Sequence, residues 1–187
     1  MSDSLETILN DLASGEESAA HRLLPLVHDE LRRLAARQAA RWKPGDSLRP
    51  TALVNEAWLR LAGSKPRVSG KAHFLAVAAK AMRSVLIDHA RAKQAEKRGG
   101  QATPVTLDEH IIDTGGGGVD QVDLLDLEAA MKRLGERDER RARLVELRFF
   151  GGLNMDEIAE VLQVSKSTVE KDWVIARTRL ARELQAE

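Results

Sequence analysis

Cysteine is absent from this chain. No disulfide and no thiolate metal site can therefore form, which suits a reducing cytoplasm, the compartment expected for it. Long apolar runs are absent too. Nothing approaches the ~18 uncharged residues of a membrane helix, and the acidic start at residues 1–6 lacks the basic-then-apolar pattern of a signal peptide. Aromatics are few: three Phe, three Trp and no Tyr. Enzyme signatures are also missing. Gly70-Lys71 is followed by Ala72, and Lys65 stands where a phosphate loop needs its first glycine. The glycine run 115–118 follows no strand, and the acids around it would repel phosphate. His21, His28, His73, His89 and His110 form no ligand-spaced set, and there is no nucleophile elbow. The expectation is a protein that is not an enzyme and takes no metal, no cofactor and no small-molecule substrate.

What is present is charge, unevenly placed. Residues 1–100 hold 17 Lys and Arg against 11 Asp and Glu, residues 101–130 hold none against 7, and residues 131–187 hold 12 against 11. A basic block, an acidic connector and a near-neutral end suggest separate surfaces for separate partners.

The most informative stretch is residues 153–184. Met155, Ile158, Ala159 and Leu162 form one apolar stripe on a short helix. Asn154 can cap it, and Glu157 stands where a capping box places its acid. Gln163-Val164 make a tight turn, and Ser165 is a second cap candidate. A longer helix then buries Val169, Trp173, Ala176 and Leu180, leaving Ser167, Lys171, Val174 and Thr178 outside with Lys166, Glu170 and Arg177 beside them. A short helix is marginal alone, so the two must pack together. Small polar and cationic side chains at the N-terminus of a second helix are what major-groove docking uses. A plain αα-hairpin of a helical bundle has the same spacing but leaves the cationic face without a purpose.

The rest of the chain is helical in pattern. Leu5, Ile8, Leu9 and Leu12 make a short helix ended by Gly15. Leu24, Val27, Leu31, Leu34 and Ala35 continue to about Trp42, and residues 43–46 break the period. Pro50 opens a third helix with Val54, Ala57, Trp58 and Leu61 inward. A polar loop (63–71) precedes a fourth, which buries Leu75, Ala78, Met82, Val85 and Leu86 and is expected to hold Lys80, Arg83, Arg91 and Lys93 outside. Residues 99–119, acidic and glycine-rich, read as a flexible linker. Helical spacing returns with Leu124, Leu127, Met131 and Leu134, capped by Asp120 or a neighbour, then Leu144, Val145 and Leu147 up to Phe149. The predicted fold is all-α: helical domains at 1–98 and 120–187, the second a helix-turn-helix, joined by a flexible acidic linker.

Three segments, LVNEAWLRL (53–61), MRSVLIDHAR (82–91) and RFFGGLNMDEIA (148–159) running on to VSKSTV (164–169), resemble the extracytoplasmic-function (ECF) sigma factors of bacterial RNA polymerase. Their order and spacing agree over nearly the whole chain. The resemblance implies that residues 1–98 grip core RNA polymerase and read and melt the −10 element of promoter DNA, while residues 120–187 read the −35 element. Asn55, Glu56, Leu59 and Arg60 would meet the polymerase clamp. Lys65, Arg67, Ser69 and Lys71 would surround an unpaired promoter base, and Arg83, Arg91 and Lys93 would follow the DNA backbone. Lys166, Ser167, Thr168 and Lys171 would enter the groove, with Arg177 on phosphate. The linker acids Asp108, Glu109 and Asp113 would thread the polymerase's RNA channel as an RNA mimic. Extruding a base costs a few kcal/mol of stacking, and scarce aromatics imply modest melting power.

One departure stands out. The family's clamp-binding helix begins with several acids, but here Arg49-Pro50-Thr51-Ala52 has none. Phosphorylation of Thr51 by a Ser/Thr kinase would restore that charge where the helix dipole favours it; an anti-sigma factor is the other candidate for control. A stand-alone helix-turn-helix regulator, dimeric on a palindrome, is the alternative reading. A purely structural adaptor is a third.

Overall fold

The computed structural model describes residues 4–40, 49–64, 68, 70–96, 104–106 and 121–185. Among them the fold is all-α, with one short ribbon of paired strands. Ser4 caps α1 (Leu5–Ser14), its Oγ accepting from the Thr7 amide at 3.2 Å, and Gly15 ends it at φ +86°, a left-handed conformation that glycine adopts without steric cost. α2 (Glu17–Ala40), α3 (Pro50–Ser64) and α4 (Lys71–Glu96) complete the first set. α1 packs on α2, and α3 lies against both α2 and α4. Pro50 holds the first helical position of α3, where a missing amide does no harm. The apolar stripes point inward as their spacing requires: Ile8, Leu9, Val27, Leu31, Leu34, Val54, Ala57, Ala78, Met82 and Leu86 are all buried. In α2 it is Leu23 that is wholly buried, with Leu24 packed at the edge.

The second set is α5 (Leu124–Arg137), α6 (Glu139–Phe149), α7 (Met155–Leu162) and α8 (Lys166–Gln185). Asp123 caps α5, accepting from the Leu125 amide at 2.7 Å. Asp138 caps α6 through the Arg141 amide at 3.0 Å. Asn154 and Glu157 form the expected capping box on α7: the Asn154 Oδ1 accepts from the amides of Asp156 and Glu157, while Glu157 accepts from the Asn154 amide at 2.7 Å. α8 packs against α5, α6 and α7 alike, with Val169, Trp173, Ala176 and Leu180 buried.

Two features differ from the sequence expectations. Residues 104–106 lie within the stretch expected to be a structureless linker, yet they form β1 (Pro104–Thr106), which pairs antiparallel with β2 (Gln121–Asp123) in the register Val105 to Val122. Three-residue strands are too short to leave an alternating pattern. Backbone pairing, with Val122 buried under α5, holds them instead. Second, the two sets are not isolated from each other. α4 touches α5, α6 and α7, and the buried side chains of both sets form one continuous core.

Candidate nucleic-acid interface

The turn between α7 and α8 is tight because Gln163 sits at φ +54°, ψ +44°, and its amide returns to the Glu160 carbonyl at 3.2 Å. The Val164 amide likewise reaches the Ala159 carbonyl at 3.1 Å. Ser165 then caps α8, its Oγ accepting from the Thr168 amide at 3.2 Å and lying 2.8 Å from Thr168 Oγ1. With Val169 and Trp173 turned inward, Lys166, Ser167 and Lys171 are exposed and Thr168 is half-buried. Lys166 Nζ lies 2.9 Å from Asp156 Oδ2 across the turn, and that hydrogen bond raises the lysine pKa above its ordinary value. Val174 and Thr178 continue the exposed face, whereas Arg177 is half-buried.

Asp172 is the residue that spacing missed here. It is buried on the inner face of α8 and pairs with Arg140 at 2.7 Å and Arg141 at 3.0 Å. Its position three residues after the buried Val169 is the signal that finds it, since an acid on an inward stripe requires a cationic partner.

On α3, Asn55, Glu56 and Leu59 are exposed, and Leu59 shows 69 % of its surface to solvent. Arg60 is exposed but tethered to α4, donating to Ser84 Oγ at 2.7 Å and Asp88 Oδ2 at 2.9 Å. Thr51 is exposed in the first turn of α3, which contains no acid.

Lys65, Arg67 and Ser69 lie outside the described residues, as do Asp108, Glu109 and Asp113 of the linker. Lys71, at the start of α4, binds Glu30 of α2, and this bond holds the Glu30 carboxyl below its ordinary pKa. Arg91 is exposed, 4.0 Å from Asp88, and Lys93 is half-buried.

Arg83 corrects an expectation. It is not on an open face: only 15 % of its side chain is exposed. Its guanidinium binds Glu128 of α5 and Glu146 of α6, the latter at 2.9 Å, and lies 5.3 Å from the centre of the Phe150 ring. The physical reason is that helical spacing assigns a residue to a face without saying what covers that face. Gln38, a second residue that spacing did not single out, is buried on α2 and donates to the backbone carbonyls of Phe149 and Phe150. Carbonyls at a helix C-terminus have no partner within the helix, so α2 supplies one. Gly152, at φ +61°, lies against Arg37: a Cβ there would sit 2.9 Å from its guanidinium.

The ECF sigma factor family model matches residues 2–186. No curated protein matches the chain. Among the described residues, no helix is long and apolar enough to cross a membrane.

Proposed function

Because the chain belongs to the ECF sigma factor family, whose members are non-catalytic transcription initiation factors working with core RNA polymerase on promoter DNA, we propose that its two helical sets divide promoter recognition between them. Residues 120–187 read the −35 element. Residues 1–98 hold the polymerase and meet the −10 element, with residues 99–119 as the connector and the cytoplasm as the place of action. The observation that carries this reading is the outer face of α8, where Lys166, Ser167 and Lys171 are exposed at the N-terminal end while Val169 and Trp173 anchor the helix. Thr168 completes the groove-facing group, and Arg177 takes phosphate at its edge. On α3, the exposed Asn55, Glu56 and Leu59 offer a clamp-binding surface next to Arg60.

The test is transcription by reconstituted core polymerase on a promoter library, with and without the chain. Lys171→Ala lowers discrimination at one promoter position by roughly 1–3 kcal/mol if Lys171 reads a base edge. A uniform loss with a shallower salt dependence makes it a phosphate contact instead. Tight, dimeric, polymerase-independent binding to a palindrome would replace the sigma reading with that of a stand-alone regulator.

Thr51 is proposed as the control point. It is exposed in the first turn of a helix that lacks any acid there, and a phosphate of roughly −2 charge is favoured at that end of the helix dipole. A Ser/Thr kinase would then be the controlling partner; control by an anti-sigma factor would leave Thr51→Glu no more active than the parent. Equal transcription with Thr51→Ala, Thr51→Glu and the parent would end the phosphorylation reading.

A further inference from the structure

Among the described residues of the second helical set, two large hydrophobic side chains stay exposed: Val174, at 51 %, and Ile175, at 39 %. A lone exposed valine on a protein surface calls for no explanation. These two are adjacent, and both lie on the solvent side of α8 between the exposed Lys171 and Thr178. Val169, Trp173 and Ala176, on the same helix, point into the core.

Helical spacing gives the pair a common setting. Val174 and Ile175 follow Lys171 by three and four residues, so the three side chains share one patch of surface. Ser167 begins the same stripe one turn before Lys171. Thr178, one turn after Val174, donates its hydroxyl proton to the Val174 carbonyl at 2.8 Å and has none left for a base. The face therefore opens with cations and a hydroxyl and closes with methyl groups. Folding does not require that close, since alanine at either position favours a helix more. Branching at Cβ does supply something: it holds Val and Ile in one preferred rotamer on a helix, so their methyl groups are fixed in place before any ligand arrives. In the major groove, thymine is the base that displays a methyl group, and apolar side chains are what read it.

We propose that Val174 packs against the 5-methyl group of a thymine in the −35 element, a specificity contact beyond the polar group of Lys166, Ser167, Thr168 and Lys171. Val174 takes this role rather than Ile175 because it is the more exposed and stands on the stripe of Ser167 and Thr178, seven residues after one and four before the other. Along the helix it lies about 4.5 Å past Lys171, against about 3.4 Å between stacked base pairs. The thymine therefore belongs to the base pair next to the one facing Lys171. This rests on the promoter-recognition reading above.

Deoxyuridine lacks only that methyl group and keeps the pairing edge of thymine, so it isolates the contact. The full chain with core polymerase is assayed for promoter binding and transcription on a promoter it selects from a library, each −35 thymine of either strand being replaced in turn by deoxyuridine. For the parent, one replacement weakens binding about fourfold, the effect of leaving one methyl group without its apolar partner. Val174→Ala binds the unmodified promoter about as weakly as the parent binds that deoxyuridine template, and the replacement costs it nothing more. Ile175→Ala keeps the fourfold difference at the same position. The absence of any methyl-sensitive position in the parent overturns the proposal. So does a fourfold loss that persists in Val174→Ala, or one that disappears in Ile175→Ala alone. A chain that directs transcription with no methyl-sensitive position loses this contact only. A chain that directs none from any promoter loses the promoter-recognition reading, and the contact with it.

Discussion

Asp172 Oδ2 lies 2.7 Å from Arg140 Nη2, with the carboxylate buried under α8 and the arginine half in solvent. This contact, with Arg141 on the other carboxylate oxygen at 3.0 Å, fixes α8 against the start of α6. Neutralising Asp172 leaves Arg140 half in solvent and Arg141 still paired with Asp138 at 2.7 Å, so what is lost is a set of buried, charge-assisted hydrogen bonds. Asp172→Asn is expected to cost about 2–3 kcal/mol in urea denaturation and to weaken −35 DNA binding, although Asp172 itself faces away from the open side of the helix.

The capping box on α7 makes a smaller, cleaner prediction. Asn154 accepts from two backbone amides at 2.9 and 3.0 Å. Asn154→Ala removes both bonds and leaves an eight-residue helix with unpaired donors, at a cost of about 1 kcal/mol. Chemical denaturation of parent and variant measures it, and Asn154→Asp, which retains an acceptor, keeps most of the stability.

Acid should loosen the link between α2 and α4. The Lys71 bond lowers the Glu30 pKa from the ordinary 4.5. A depressed folded-state pKa contributes stability that is complete above the unfolded value and is lost as pH falls through the folded one. Thermal melts of the parent and of Lys71→Met should therefore differ above pH 4.5 and converge as pH drops well below it. A constant difference across that range would assign the effect of Lys71 to packing alone.

Leu59 separates binding from folding. With 69 % of its surface exposed, Leu59→Asp is expected to change stability by no more than about 0.5 kcal/mol. It should nevertheless reduce capture of core polymerase by tenfold or more. Arg60→Ala behaves differently, because its bonds to Ser84 and Asp88 tie α3 to α4 and their loss shifts the melting temperature as well.

Much of this was readable in the residues. Val169, Trp173, Ala176 and Leu180 point inward because their spacing leaves no other common face. Asn154 and Glu157 close a capping box because only that pairing satisfies the first amides of so short a helix. What escaped were relations across long stretches of chain. Arg83 sits beside Met82 on a basic helix, and nothing local marks Glu128 and Glu146 as its partners, 45 and 63 residues away. Gln38 lies 112 residues from the Phe150 carbonyl it serves. The ribbon from Pro104 to Thr106 is held by partner backbone rather than by its own side-chain pattern.

That ribbon also sets a length. β2 passes into α5 without a loop, Asp123 being at once its last residue and the helix cap. While the strands stay paired, only residues 97–103 join α4 to the second set, a tether of roughly 25–30 Å at full stretch. Unzipped, the tether runs from 97 to 120 and reaches about 80 Å. Isolated two-stranded pairings of this size are marginal in water, so a handful of backbone bonds decides whether seven or twenty-four residues separate α4 from the next element held in place.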